Sequence, residues 1–323
     1  MYDLKVSPLG FGTWSWGNKL LWNYDTRMDP ELERALLAAV QTNQNRKVFI
    51  DTGDSYGTGK LQGRAESLLG NFCAQNPIAE RRALIGTKLA VYPTRLTAGS
   101  FVEACRASLT RLKMERIDLV QAHWSAQNFQ PWQEGALWDG LAQCYEIGLA
   151  SGVGTSNFGP RALERVNRFW SDRGVPHVSN QFQFSLLSTL PLETGMLEAC
   201  ADLGVAPIAY SPLGLGVLSG KYDLDNLPSG ARGLLFKALI PSCGPLLGTL
   251  RAIGDERGVS MSSVAINWAM SKGAIVIVGL RSVGQALESA DSLSFRLDDG
   301  EVEDLERSAK SARRATQNIF QTD

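Results

Sequence analysis

The feature that most constrains this 323-residue chain is an alternation: short β-branched or aliphatic runs and amphipathic stretches of helical length follow one another eight times over. The strand candidates are Leu9–Trp14, Lys47–Asp51, Ala83–Lys88, Ile117–His123, Ala150–Ser156, His177–Phe184, Val205–Ser211 and Ala274–Gly279. Helical patterns lie between them at Pro30–Thr42, Arg64–Asn71, Thr97–Leu112, Trp132–Gly148, Arg161–Arg173, Glu193–Leu203 and Met261–Lys272. Two more, Ser282–Ser292 and Asp298–Arg314, close the chain. Strands that alternate with helices pair in parallel through right-handed crossovers. Eight such units, with no linker, low-complexity segment or repeat between them, predict one α/β domain over residues 1–323, a closed (β/α)8 barrel. The stretch from Pro212 to about Pro245, after strand seven, reads as one long irregular loop, and such loops inside a compact domain usually carry function.

Charge narrows the partners. The formal net charge of -1 leaves no basic excess to neutralise a polyanion, so nucleic acid is not an expected partner. Only two histidines occur, His123 and His177, and there is no H-E-x-x-H, so no metal is expected. The five cysteines, Cys73, Cys105, Cys144, Cys200 and Cys243, are scattered without a C-x-x-C, the pattern of reduced, buried thiols. The chain starts polar at Tyr2-Asp3-Leu4-Lys5 and enters strand one almost at once, and no apolar run reaches the ~18 residues of a membrane span. Neither a targeting peptide nor a membrane partner is expected, which predicts a cytoplasmic protein.

In a parallel barrel the chemistry sits where strands end. Asp51, Lys88 and His123 fall at the ends of strands two, three and four, and Tyr56 lies in the loop after strand two, within reach of the mouth. Taken singly, each has an ordinary use. A strand-end Asp forms turns or caps, a Lys snorkels to solvent, a Tyr packs with a wet hydroxyl, and a buried His is most often a satisfied core residue. Together they suit delivery of hydride to a carbonyl, where negative charge grows on oxygen and a positioned acid must neutralise it. Tyr56 would donate, Lys88 would lower its pKa from ~10, Asp51 would hold Lys88 charged, and His123 would orient the carbonyl oxygen.

No classical dinucleotide fingerprint accompanies them. Gly57-x-Gly59 is followed by Gln62, and Gly214-x-Gly216 by Ser219, so G-x-G-x-x-G fails twice. The aromatic residues Trp14, Trp16, Trp22 and Trp124 lie near predicted strand ends or mouth loops; Trp14 and Trp124 are the expected walls of a substrate pocket for a flat carbonyl compound.

The segments Phe49–Gly57 (F-I-D-T-G-D-S-Y-G), Gly86–Lys88 (G-T-K) and Asp118–Trp124 (D-L-V-Q-A-H-W) resemble the signatures of the aldo-keto reductases, and the resemblance covers nearly the whole chain. It implies a (β/α)8 barrel, NADPH as cofactor, and a catalytic tetrad at Asp51, Tyr56, Lys88 and His123. By the same resemblance, the loop from Ser211 through Pro212, Leu213, Gly214 and Gly216 to Lys221 would clasp the pyrophosphate, its glycines letting backbone N–H groups approach phosphate oxygens. Gly279, Arg281 and Ser282 open a helix suited to an anion, here the adenosine 2′-phosphate, with Gln285 and Glu288 as adenosine contacts. Ser156, Asn157 and Gln181 would hold the nicotinamide carboxamide and Tyr210 would stack on the ring. Two positions depart from the family pattern: Ser289 stands where Asn is usual, which removes an adenine contact, and Val278 replaces a frequent Pro.

A narrower resemblance, to the family's plastid pyridoxal reductase branch, rests on Trp16–Trp22, Asp54–Gly59, Phe101–Leu109, Ser211–Gly216 and Gln317–Thr322. It implies an aldehyde substrate, pyridoxal, reduced to pyridoxine. Two other readings stand beside it: a general reductase for sugar aldehydes, methylglyoxal or other reactive carbonyls, and a non-enzymatic NADPH sensor or channel-associated subunit. The intact tetrad favours an enzyme.

Overall fold

A computed structural model describes residues 6–312 and Thr322. Eight parallel strands close into a barrel in the order β1 (Leu9–Gly12), β2 (Val48–Asp51), β3 (Ala83–Leu89), β4 (Leu119–Ala122), β5 (Val153–Ser156), β6 (His177–Gln183), β7 (Ala206–Tyr210) and β8 (Ile275–Gly279), with β8 returning to β1. All eight predicted strands form, most of them shorter than expected by a residue or two at an end.

A strand's side chains alternate between its two faces. That rule places the functional positions. Phe49, Leu119, Ile208 and Ile277 form an apolar plug, with Leu84 packed against it. Two residues further along β2 stands Asp51; four beyond Leu84 on β3 stands Lys88; four beyond Leu119 comes His123; two beyond Ile208 comes Tyr210. The chemistry therefore forms a layer directly above the plug. Gly86 lies in the same β3 column because Phe49 needs its space: a Cβ there would sit 2.6 Å from the Phe49 ring.

The ladder continues past the formal strand ends and fixes the loops that carry function. The backbone N–H of Asp54 donates to Lys88 O, that of His123 to Leu89 O, and that of Asn157 to Gln181 O. Outside the strands, helices bury one apolar face each; Asp29–Ala39, for instance, buries Leu32, Ala35, Leu36 and Ala39 and has Pro30 in its first turn.

The stretch between Pro212 and Pro245 is not one irregular loop. It contains a short 3-10 segment (Gly214–Ser219), a helix (Ala231–Leu239) and a second 3-10 turn, and it runs into the helix Gly244–Arg257. Phe236 and Leu239 bury against the core and hold the inserted helix down. No single helix among the described residues is long and apolar enough to cross a membrane. All five cysteines are buried free thiols. Of the predicted segments, residues 1–5 and 313–321 lie outside the described residues.

Candidate active site

One cavity of ≈ 720 Å³ opens at the C-terminal end of the barrel, within the usual volume for a small-molecule site. Asp51, Tyr56, Lys88 and His123 all line its floor. Lys88 is buried, and its ammonium donates to Asp51 Oδ1 at 2.5 Å and to the backbone oxygen of Thr52 at 2.8 Å. Asp51 Oδ1 also accepts from Gln181 Nε2 at 2.7 Å, so the carboxylate is shared between the lysine and a residue from the far side of the barrel. Burial pulls the Lys88 pKa down, and the Asp51 charge works against that fall.

The Lys88 ammonium lies over the Tyr56 ring, 5.0 Å from its centroid. The expected lowering of the phenol's pKa does not follow. Tyr56 is pushed well above its usual value, first by burial and then by the Asp51 charge, with Tyr210 and Asp54 adding to it. The physical reason is that Asp51 neutralises the lysine while the dry surroundings penalise a phenolate. Tyr56 therefore keeps its proton until something beside it takes one.

His123 packs its ring at 5.7 Å from Tyr56 and 4.8 Å from Trp124, centroid to centroid. Burial, then the Lys88 charge, hold its pKa well below the ordinary histidine range, so the imidazole is neutral. The other histidine, His177, starts β6 at the opposite end of the barrel and rests against Thr155 Oγ1 and the Trp170 ring. Burial brings it down to about 3.

The nicotinamide candidates also meet. Asn157 has a left-handed backbone (φ 62), and its side chain donates to His123 O at 3.0 Å and accepts from the Tyr210 hydroxyl at 2.9 Å. Thr322 closes the turn from outside. Its N–H donates to Asn157 O and its hydroxyl accepts from the Gly159 N–H, ahead of the helix Pro160–Ser171. Asn157 is thus a bridge between β4 and β7, with the helix beginning three residues later.

Further up the cavity, Ser211, Pro212, Leu213, Gly216, Lys221, Gly279, Arg281, Gln285 and Glu288 all line the wall. Two expected contacts do not. Gly214 is buried with its Cα facing Leu187, and Ser282 caps the helix Val283–Ala290 by accepting from the Gln285 N–H. Each supports the loop in place of touching the cavity. Lys221 pairs with Glu288 at 2.7 Å across the rim.

Sequence reading missed a second arginine. Arg232, on the inserted helix, stacks over Trp22 at 4.5 Å, and Arg281 approaches the same ring at 5.4 Å. Arg281 is lowered by burial and then by the Arg232 charge. The Nε of Arg232 and the indole N–H of Trp22 are buried with no hydrogen-bond partner among the described residues. Two close cations and two unsatisfied donors fit an anion such as a phosphate. No motif marks Arg232, which shares its short, mostly apolar helix with a second cation, Lys237. Ser55 also lines the cavity and was not anticipated there, and Tyr222 and Ser289 line it beside the expected loop and helix.

Trp14 and Trp124 line the cavity as expected, and Trp14 lies edge-on to Trp22. Trp16 is core, with its indole donating to Leu280 O at 2.7 Å.

A parallel barrel with a buried Lys–Asp pair, a protonated tyrosine and a neutral histidine at its mouth is a site for proton transfer to a polar substrate atom. The Aldo/keto reductase family model matches residues 8–310, and the chain belongs to that family. It is 46% identical to a chloroplastic pyridoxal reductase of Arabidopsis thaliana, over all of this chain and 88% of that protein. A probable voltage-gated potassium channel subunit beta of rice is 28% identical, covering 90% of this chain and 88% of its own. Among solved structures, an aldo-keto reductase (AKR2E5) complexed with NADPH superposes with a TM-score of 0.69 at 25% identity, covering 93% of this chain and 84% of that one. The thermostable aldo-keto reductase Tm1743 gives 0.72 at 24% identity, over 94% and 95%.

Proposed function

We propose that the whole chain acts as one reductase module, in the cytoplasm, reducing an aldehyde to its alcohol with NADPH, and that the aldehyde is pyridoxal. The observation that carries the chemistry is the protonated Tyr56 beside neutral His123 above the Lys88–Asp51 pair. NADPH, when held in this cavity, would supply a hydride to the carbonyl carbon. Tyr56 then gives its phenol proton to the carbonyl oxygen, and the adjacent Lys88 stabilises the tyrosinate left behind. His123 donates to the same oxygen and aligns it. Asp51 keeps the ammonium in place.

Ser156, Asn157, Gln181 and Tyr210 are assigned to the nicotinamide end, and Ser211–Leu213 with Gly216 to the pyrophosphate. Arg281 and Arg232 would take the phosphate that distinguishes NADPH from NADH, and Gln285 and Glu288 the adenosine. The narrower substrate rests on the 46% identity along the full chain and on the Trp14 and Trp124 walls, which suit an aromatic ring.

A side-by-side panel tests it: kcat/KM for pyridoxal, methylglyoxal and glyceraldehyde 3-phosphate, each with NADPH and with NADH. A preference for pyridoxal with NADPH is expected. Equal rates across the panel would reduce the reading to a general reductase, and NADPH binding without turnover would favour the sensor role.

A further inference from the structure

Asp54 lies outside the cavity wall, buried two residues before Tyr56 in the loop that brings the phenol to the mouth. Its backbone N–H donates to Lys88 O at 3.0 Å, and its side-chain Oδ1 accepts from the Ala90 N–H at 3.1 Å. A turn-forming Asp bonds the backbone of its own loop; this one grips β3 and the residue after it, on both sides of Leu89. One end of that grip is Lys88 itself.

The pattern of the sheet explains the second bond. In a parallel ladder a residue gives its N–H to one neighbour and accepts, on its own backbone oxygen, from the residue two further along. The pairing of β2 with β3 runs on past Asp51: the Thr52 N–H donates to Gly86 O and the Asp54 N–H to Lys88 O. The next bond of that ladder would join the Ala90 N–H to the backbone oxygen of Asp54. The carboxylate takes it instead. The chain can therefore leave the sheet at Asp54 without stranding the buried Ala90 N–H. It turns at once, with the Tyr56 N–H donating to Gly53 O at 3.1 Å. The Tyr56 ring folds back over Gly53, where a Cβ would stand 3.1 Å from it.

Arg95, in the loop after β3, braces the carboxylate. Its Nη1 donates to Ala90 O at 2.6 Å and stands 2.6 Å from Asp54 Oδ2, balancing the charge although no hydrogen is aligned on that oxygen. Gln133 fixes Arg95 in turn, donating to its backbone oxygen at 2.9 Å. We propose that Asp54 is a positioning residue whose carboxylate completes the ladder in place of a backbone carbonyl and so sets Tyr56 at a fixed height beside Lys88. The effect on rate rests on the role given to Tyr56 above, whereas the ladder substitution is readable without turnover.

Amide hydrogen exchange reads it directly. In the NADPH-bound enzyme the Ala90 N–H is expected to be protected. Asp54→Asn, which keeps an acceptor oxygen, should preserve that protection and hold kcat within about threefold. Asp54→Ala should speed the exchange of Ala90 and lower kcat about ten- to hundredfold, the scale of a displaced reacting group, while NADPH affinity stays within about twofold. Arg95→Met should cost about threefold in kcat, and that loss should vanish in the Asp54→Ala background, where no carboxylate is left to brace. An Ala90 N–H that exchanges freely in the unmodified enzyme overturns the proposal. So do an Asp54→Asn variant as slow as Asp54→Ala, and a loss of NADPH affinity that matches the loss of kcat. Should Asp54→Ala fold poorly, the Ala90 amide of the unmodified enzyme and the Asp54→Asn variant decide. The expected exchange pattern in a protein that reduces no aldehyde would support the ladder substitution and count against the functional reading alone.

Discussion

The two ends of the cavity are built on opposite plans. At the floor, Asp51, Lys88 and Tyr56 are buried, borne on strand ends or tied to them, and Asp51 and Lys88 satisfy one another. At the rim, Arg232, Arg281, Trp22 and Lys221 come from loops and short helices, remain partly or largely exposed, and include two donors without a hydrogen-bond partner among the described residues. A floor that must move a proton gains from being fixed and dry; a rim that must capture and release a large anion gains from adjustable cations. The contrast teaches that a fixed floor and an adaptable rim serve separate steps, and variants should separate them too.

The largest effect expected is from Tyr56→Phe. It removes the acid and should lower kcat about 10²- to 10⁴-fold while NADPH still binds, as fluorescence titration would measure. Turnover surviving in this variant would move the proton donor elsewhere. Asp51→Asn breaks the buried pair from one side and leaves the ammonium uncompensated, so denaturant unfolding should register a loss of about 3–5 kcal/mol together with lost activity. An unchanged unfolding midpoint would mean that the floor is less dry than its burial implies.

Arg232→Ala should act the other way round. We expect about a tenfold rise in the NADPH dissociation constant, for a lost charge-assisted contact, with kcat nearly kept. Added salt should weaken NADPH binding to the unmodified enzyme and matter much less in the variant. A fall in kcat with unchanged affinity would erase the distinction between the ends.

The smallest effect is one of pH. His123 has a depressed pKa, so it stays neutral well below the ordinary ~6.5. Tyr56 has a raised pKa, so it stays protonated up to and beyond ~10. Between those limits neither group ionises, and the pH profile of kcat should be level through neutrality; an acid limb centred near ~6.5 would mean His123 works as a cation. His177 acts on stability instead. Its folded pKa of about 3 lies below the unfolded value of ~6.5, so the stability held above ~6.5 should be lost as pH falls from there towards about 3. Thermal unfolding measured across that range reads it.

Much of this architecture is legible in the sequence alone. The period of two along each strand and the crossovers between strands fix the barrel, and strand ends then bring Asp51, Lys88 and His123 into one layer. Boundaries were less readable: β1 stops at Gly12 because Thr13 turns the chain towards Trp16, and β4 stops at Ala122 although His123 keeps a ladder hydrogen bond. The helix Ala231–Leu239 was hidden by Gly230 and Gly233 and by Pro241 soon after it, which read as loop punctuation. Its amphipathic signal is short, and tertiary burial of Phe236 holds it. Arg232 went unseen for the same reason, since its partner Trp22 lies far away in the chain. The raised Tyr56 pKa was out of reach because it depends on which of two opposite charges prevails in a dry site.

Trp22, held against two guanidinium groups, has a consequence for observing the molecule at work. Indole emission responds to the charges on its ring face, and an anion docking on Arg232 and Arg281 would alter that field without touching the floor. Trp22 should therefore glow differently in the loaded and empty protein, and the difference spectrum against Trp22→Phe would isolate it from the other seven tryptophans. The enzyme would then carry its own lamp at the entrance, reporting arrival of the dinucleotide before any chemistry begins.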